Sequence, residues 1–109
     1  MALIPAPIST FIVATNAGDS DAFVAAFSED GSLDDWGRVA HGHDGIRAWD
    51  RTDNIGKQSH FELIDIEQET APETYLVHLA VTGNGFNGTS PFRFTLRDGL
   101  IQSVVIVPD

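Results

Sequence analysis

The sequence predicts an α+β fold, in which three helices from the first half of the chain pack in the concave face of a curved, mostly antiparallel sheet. Two observations support this fold class. Before Lys57, apolar residues recur every three to four positions in several segments, which is typical of helices. After Lys57 they alternate with polar residues, and turn-forming residues separate the alternating segments, which is typical of antiparallel strands.

Two helices are predicted near the N-terminus. The first contains apolar residues at helical spacing and two prolines that only a first turn tolerates: Ile4, Ile8, Phe11, Ile12 and Thr15, with Pro5 and Pro7. Gly18 closes this helix as a left-handed cap. A shorter helix follows, capped by Asp19 or Ser20, and Phe23 and Phe27 lie on its apolar face.

A strand and a third helix are predicted next. Ser28–Gly31 is interpreted as a turn, and Ser32–Gly42 as a strand followed by a glycine-containing loop. The third helix runs from Gly45 to about Asp53. One face of this helix carries an isoleucine, a tryptophan and an aspartate together: Ile46, Trp49 and Asp50.

Four strands are predicted after Lys57: Ser59–Glu67, Tyr75–Thr82, a segment through Phe92, Phe94 and Leu96, and Leu100–Val107. Gly83–Gly88 is interpreted as a flexible connection. The last strand is apolar on both sides, and the helices can cover only one of them. Because an exposed apolar face favours association, we expect a homodimer formed through the outer face of the sheet.

Composition excludes several classes of function. The 109 residues fit a single domain, 1–109, and the formal net charge of −10 argues against nucleic acid and anionic membranes as partners. The absence of cysteine excludes disulfides, thiolate metal sites and cysteine nucleophiles. The sequence has no recognisable secretion signal and no stretch of transmembrane length, so a cytoplasmic location is the expectation.

A set of spaced residues resembles the nuclear-transport-factor-2-like superfamily. The set is Asn16-Ala-Gly-Asp19, Phe27 three residues before Asp30, Leu33-Asp34-Asp35, Gly42, and Ile46-Arg47-x-Trp49. This superfamily includes ketosteroid isomerases, SnoaL-like polyketide cyclases, scytalone dehydratases and limonene epoxide hydrolases. The resemblance covers nearly the whole chain and implies a cystatin-like cone with a cavity. The fold hosts enzymes and non-enzymes, so it does not specify the function.

The resemblance implies a role for Asp35. It falls where the steroid isomerases have a general base, and a carboxylate partly desolvated at the mouth of an apolar cone is a stronger base. Asp34, by strand alternation, points away to solvent. The alternative for Asp35 is a structural role, either as a solvated strand end or through a hydrogen bond to a loop amide. Further residues are predicted to bind the substrate: Phe11, Trp36, Trp49, Asp50, Leu79, Ser90 and Phe92.

Three positions depart from the isomerase pattern. Phe11 stands where the isomerases have an oxyanion-binding tyrosine, and Ser90 stands where they have a protonated aspartate. Asp50 replaces a tyrosine of the third helix. Because stabilisation of the oxyanion is usually the largest catalytic contribution, steroid isomerisation is not expected.

Two hypotheses for function follow. The first is an isomerase, cyclase or dehydratase that uses Asp35 as a general acid/base on an apolar substrate, without cofactor or metal. The second is a non-catalytic binding module for a small hydrophobic ligand. His41, His43 and Asp44 could suggest a metal site, but such loop residues are common without metal. His60 and His78 could flank the pocket or the outer sheet, and Arg93 is expected on the outer sheet face beside an acidic residue.

Overall fold

The computed structural model describes residues 4–107, which form three α-helices, one short 3₁₀ helix and six strands. In chain order these are α1 Ala6–Ala17, α2 Ser20–Ala25, β1 Phe27–Asp35, β2 Arg38–His41, α3 Gly42–Asp53, the 3₁₀ helix Ile55–Lys57, β3 His60–Gln68, β4 Thr74–Thr82, β5 Gly88–Arg97 and β6 Leu100–Ile106. No helix among residues 4–107 has the length and apolarity needed to cross a membrane.

The six strands form one curved, open sheet in the order β2-β1-β6-β5-β4-β3. Neighbouring strands are antiparallel except β1 and β6, which are parallel. The helices occupy the concave side, so the predicted α+β fold is confirmed. The predicted caps are also present: Gly18 ends α1 with φ 72°, and Asp19 accepts a hydrogen bond from the Ala22 amide at 3.1 Å.

The start of the sheet differs from the sequence prediction. Ser28–Gly31, predicted as a turn, belongs to β1, which begins at Phe27 and shifts its register against β6 between Phe27 and Ser32. Gly31 permits this irregularity, because a Cβ atom there would lie only 3.0 Å from the Ile101 carbonyl oxygen.

A second difference concerns the segment after β1. The segment predicted as a loop contains β2, which pairs with β1 from Asp35↔Arg38 to Ser32↔His41. Helix α3 begins at Gly42, three positions before the predicted Gly45. The alternation of apolar and polar residues that marks a strand is weak in β2, because its two apolar residues, Val39 and Ala40, are adjacent in the sequence.

Phenylalanine rings form the centre of the core. Phe11 has no solvent exposure, and five other rings surround it: Phe23, Phe27, Phe61, Phe92 and Phe94, with centroids 5.0–6.2 Å away. Such pairs contribute beyond the apolar area they bury. The packing joins α1 and α2 to the concave face of β1, β3 and β5, and it explains why Phe11 has no access to a ligand.

The outer face of the sheet carries both ion pairs and apolar side chains. Arg93 donates to Glu69 at 2.6 Å, which confirms its predicted position beside an acidic residue. His78 contacts Asp65 at 2.7 Å on the same face. In the last strand, Val104 and Ile106 are buried against the helices, whereas Val105 points outward and is only half-buried.

Candidate functional site

A cavity of about 410 Å³ lies between the C-terminal end of α3 and the concave face of the sheet. Its apolar wall is formed by Phe61, Val81, Phe92 and Ile106 on four adjacent strands, with Trp49 of α3 opposite. The volume lies within the range of small-molecule sites, and such sites are mostly apolar with a few placed polar groups. The cavity is therefore the candidate binding site.

Asp35 lies at the end of β1 and lines this cavity. One oxygen of its carboxylate, Oδ2, accepts hydrogen bonds from Trp49 Nε1 at 3.0 Å and from Arg38 Nη2 at 2.7 Å. The other oxygen, Oδ1, accepts none from residues 4–107. The side chain is 20% exposed. Two donors thus fix the orientation of the carboxylate, while one oxygen is left to meet a ligand.

Arg38 bridges two carboxylates at the mouth of the cavity. Its Nη2 contacts Asp35 at 2.7 Å and Asp53 at 3.1 Å. Asp53, and after it Asp35, raise the pKa of the guanidinium above its ordinary value. The stabilisation linked to this shift would be lost only as pH rises through the raised pKa, far above neutrality. Arg38 is 67% exposed, so its pairs contribute little to stability and serve mainly to hold the two carboxylates.

A strained turn places Trp36 at the rim of the cavity. Trp36 and Gly37 have φ of 52° and 94° and form the two-residue turn between β1 and β2. Positive φ at both positions matches the twist of a tight hairpin, although tryptophan is unusual there. Asp34 secures the turn, since its Oδ1 accepts the Gly37 amide at 2.7 Å. Asp34 is therefore a turn-stabilising residue rather than a freely solvated one.

The loop between β4 and β5 forms the other side of the mouth. Phe86 lines the cavity and is 50% exposed. The Asn87 side chain closes the loop, donating to Gly83 O at 2.9 Å and accepting from Gly83 N at 3.2 Å. Gly83 has φ 148°, and a Cβ atom there would lie 2.9 Å from the Gln58 carbonyl oxygen. Phe86 is thus held over the mouth by a loop that only glycine can build.

Three polar residues lie inside the cavity behind this rim. Asn54 is 1% exposed, Ser59 8% and Ser90 3%, and all three line the cavity. Asn54 donates both amide protons, to Thr15 Oγ1 at 3.0 Å and to Asp50 Oδ1 at 3.1 Å. The serine hydroxyls have no hydrogen-bond partner among residues 4–107. The interior of the cavity therefore combines apolar walls with a few polar atoms that face into the cavity.

The structure brings together most of the sequence-predicted site residues. Asp35, Trp36, Trp49, Ser90 and Phe92 all line the cavity. Their roles in catalysis or binding remain predictions, but their common location is a feature of the fold.

Three predicted site residues lie elsewhere. Phe11 is enclosed by other phenylalanine rings, and Leu79 is fully buried in the core. Asp50 is 1% exposed and turned toward Asn54 and the Ile55 amide, which contacts it at 3.5 Å. None of the three is among the cavity-lining residues.

Other lining residues were missed by sequence reasoning: Arg38, Asp53, Asn54, Lys57, Ser59 and Phe86. Asp53 follows Trp49 by four positions, so helical spacing could have found it. Arg38 could not be found in this way, because only the β1–β2 hairpin, which was not predicted, brings it opposite Asp35. The cavity-facing position of Asn54 had no sequence signal, since it lies beyond the end of α3.

The histidines lie outside the cavity lining. His43 Nε2 lies 2.8 Å from the Phe27 carbonyl oxygen, and His78 contacts Asp65 on the outer sheet face. Among residues 4–107, no three histidine, aspartate or glutamate side chains are grouped as metal ligands. That the protein uses neither metal nor cofactor stays a prediction.

Comparisons with known proteins identify the family of the chain and structures with a similar fold. The sequence profile of the SnoaL-like domain matches residues 8–104. A candidate polyketide cyclase from Sinorhizobium meliloti is similar in structure, with a TM-score of 0.86, 24% identity and 95% of each chain covered. Another similar structure is the epoxide hydrolase/cyclase-like enzyme SalBIII, which has a role in pyran ring formation in the polyether salinomycin. Its TM-score is 0.82 at 21% identity, with 92% of this chain and 85% of SalBIII covered.

A third similar structure contains a steroid. It is a Mycobacterium tuberculosis protein in complex with estradiol-17β-hemisuccinate, with a TM-score of 0.82, 14% identity, and coverage of 94% of this chain and 91% of that protein. At these identities the solved structures establish a shared fold. A search of curated protein sequences gives no match.

Proposed function

Since the chain belongs to the SnoaL-like domain family, we propose that its cavity binds a small apolar molecule on which Asp35 acts as a general acid/base. The observation that supports this most is the asymmetry of the Asp35 carboxylate. Trp49 and Arg38 hold Oδ2, and Oδ1 has no donor among residues 4–107. The reaction class would be isomerisation, cyclisation or dehydration, in which a proton is moved between positions of one substrate.

The surroundings of Asp35 suit proton transfer. An oriented carboxylate beside an apolar wall does not need to reorganise before it accepts a proton. Arg38 stays charged and balances the carboxylates on either side of it. Ser90, inside the same cavity, can donate a hydrogen bond from its hydroxyl group to a developing oxyanion. The proposed chemistry thus has a base and one neutral donor.

A binding module is the second candidate. Phe11 is buried and has no hydroxyl, so the cavity lacks one of the two oxyanion donors of the isomerases, which favours binding without turnover. The steroid bound by the similar Mycobacterium tuberculosis protein has the apolar character that we propose for a ligand here. The two candidates differ in one measurable property, which is turnover.

Kemp elimination of 5-nitrobenzisoxazole would separate the candidates, because it requires only a base in an apolar site. The base removes the ring C–H proton, the N–O bond breaks, and a coloured cyanonitrophenolate forms. We expect a saturable rate above that of free acetate at the same carboxylate concentration. Binding of the probe without any rate increase would favour the binding module, and absence of binding would contradict both candidates.

We expect no ketosteroid isomerase activity at an enzymic rate. Phe11 is buried among other rings and has no hydroxyl, so Ser90 is the one remaining donor at the two isomerase positions. The loss of an oxyanion donor costs about 3–4 kcal/mol of transition-state stabilisation. Ultraviolet absorbance of the conjugated product from a β,γ-unsaturated ketosteroid measures this directly. Rapid product formation would show that another donor replaces the tyrosine.

The homodimer through the outer sheet face remains a proposal, as does the cytoplasmic location. Val105 lies on that face beside Arg93, and replacing it with lysine would place two positive charges together. We expect the wild type to sediment as a dimer at micromolar concentration and Val105→Lys as a monomer. Val13→Lys is the control, because Val13 is 61% exposed on helix α1, which lies on the opposite, concave side of the sheet. A wild type that sediments as a monomer would contradict the proposal.

A further inference from the structure

Asn54 and Ser59 form a buried polar corner of the cavity. The Ser59 amide donates to the Asn54 carbonyl oxygen at 3.1 Å, which holds the two residues side by side. Both side chains are more than nine-tenths buried, at 1% and 8% exposed, and both line the cavity.

The orientation of the Asn54 side chain follows from its partners. Its Nδ2 donates to Thr15 Oγ1 and to Asp50 Oδ1, which uses both amide protons. The reversed amide would turn Asn54 Oδ1 toward the Asp50 carboxylate, and two acceptors would then face each other. Asp50 is therefore a positioning residue for Asn54, and Oδ1 is the group left over.

That oxygen faces the cavity. No buried side-chain nitrogen or oxygen atom among residues 4–107 lacks a hydrogen-bond partner. Asn54 Oδ1 has no protein donor in this part of the chain, so it must retain contact with accessible space. For a side chain as buried as this one, that space is the cavity that it lines. The same reasoning applies to the Ser59 hydroxyl.

We propose that the polar corner recognises a hydroxyl group on an otherwise apolar, uncharged ligand. A hydroxyl donates to Asn54 Oδ1 and accepts from Ser59 Oγ, so one group can satisfy both. Water can do the same, and a ligand that displaces this water without reproducing its hydrogen bonds binds more weakly. The corner contains no cation, because Arg38 and Lys57 lie exposed at the mouth. This inference rests on the proposed function of the cavity as an apolar binding site.

Two probes of nearly equal shape test the proposal: 2-naphthol and 2-methylnaphthalene. Titration calorimetry gives the ratio of the two affinities for the wild type and for each variant. The probes differ in hydration, but this difference is the same for every protein and cancels when the ratios are compared. We expect the ratio to shift against 2-naphthol by about tenfold in Ser59→Ala and in Asn54→Ala, because each variant removes a buried hydrogen-bond partner. Thermal melts show whether Asn54→Ala folds. If Asn54→Ala does not fold, the test depends on Ser59→Ala alone.

Ser103→Ala is the matched control, because Ser103 is a half-buried serine of β6 outside the cavity, and it should leave the ratio unchanged. If both probes bind and neither cavity variant changes the ratio, the polar corner is not a recognition site, although the cavity still binds apolar molecules. If neither probe binds to the wild type, the proposed function fails and this inference fails with it.

Discussion

Replacing Phe11 by alanine is expected to lower the free energy of unfolding by about 3–5 kcal/mol. Phe11 has no solvent exposure, and its ring contacts five others that connect two helices to three strands. The cavity left by truncation cannot collapse easily, because rings from different elements border it. Urea denaturation followed by tryptophan fluorescence measures the change.

Phe86→Ala is the control for this prediction. Phe86 is 50% exposed in the loop between β4 and β5, so its truncation should change the unfolding free energy by less than about 1 kcal/mol. A loss in Phe11→Ala as small as that in Phe86→Ala would mean that Phe11 is not the centre of the core. In that case the sequence-based prediction of a ligand-facing Phe11 would deserve a new test.

Replacing Asp35 by asparagine is expected to lower the rate of Kemp elimination by about 10²–10⁴-fold, the usual contribution of a positioned general base. The change is nearly isosteric and removes the charge that accepts the proton. Asparagine can still accept hydrogen bonds from Trp49 and Arg38, so the rim should keep its shape. The ion pair that it removes has a 67% exposed partner, so the unfolding free energy should change little.

Asp34→Asn distinguishes position from charge. Asp34 adjoins Asp35 in sequence but binds the Gly37 amide and is not among the lining residues of the cavity. The rate should therefore be retained in Asp34→Asn within about threefold, although the turn would be weaker. If Asp35→Asn keeps the activity, Asp53 becomes the candidate base, since Arg38 holds its carboxylate at the same mouth.

The sequence predicted the elements whose patterns are local. The period of the apolar residues located α1, β4 and β5, and the caps at Gly18 and Asp19 needed only local backbone chemistry. The spaced motifs identified the superfamily, and with it the cone-shaped fold. Placing Asp35 at the cavity came from that resemblance, and the structure locates it there together with Trp49.

What the sequence did not predict depended on pairing between distant segments. Strand β2 has weak alternation and exists because β1 supplies its hydrogen bonds across the Trp36–Gly37 turn. Arg38 reaches Asp35 and Asp53 only through that hairpin. A sequence pattern also does not distinguish an apolar ring that lines a cavity from one that fills a core. Phe92 lines the cavity, whereas Phe11 does not.

By itself, the sequence determined the fold class, the superfamily and the presence of a carboxylate at the end of the opening strand, because periodicity, caps and spaced motifs are properties of neighbouring residues. Tertiary structure alone decided which polar atoms face the cavity. Asn54 presents an oxygen there because Thr15 and Asp50, from 39 and 4 positions away, use its amide protons. Such a choice depends on which partners packing brings within hydrogen-bond distance, and no local pattern encodes it.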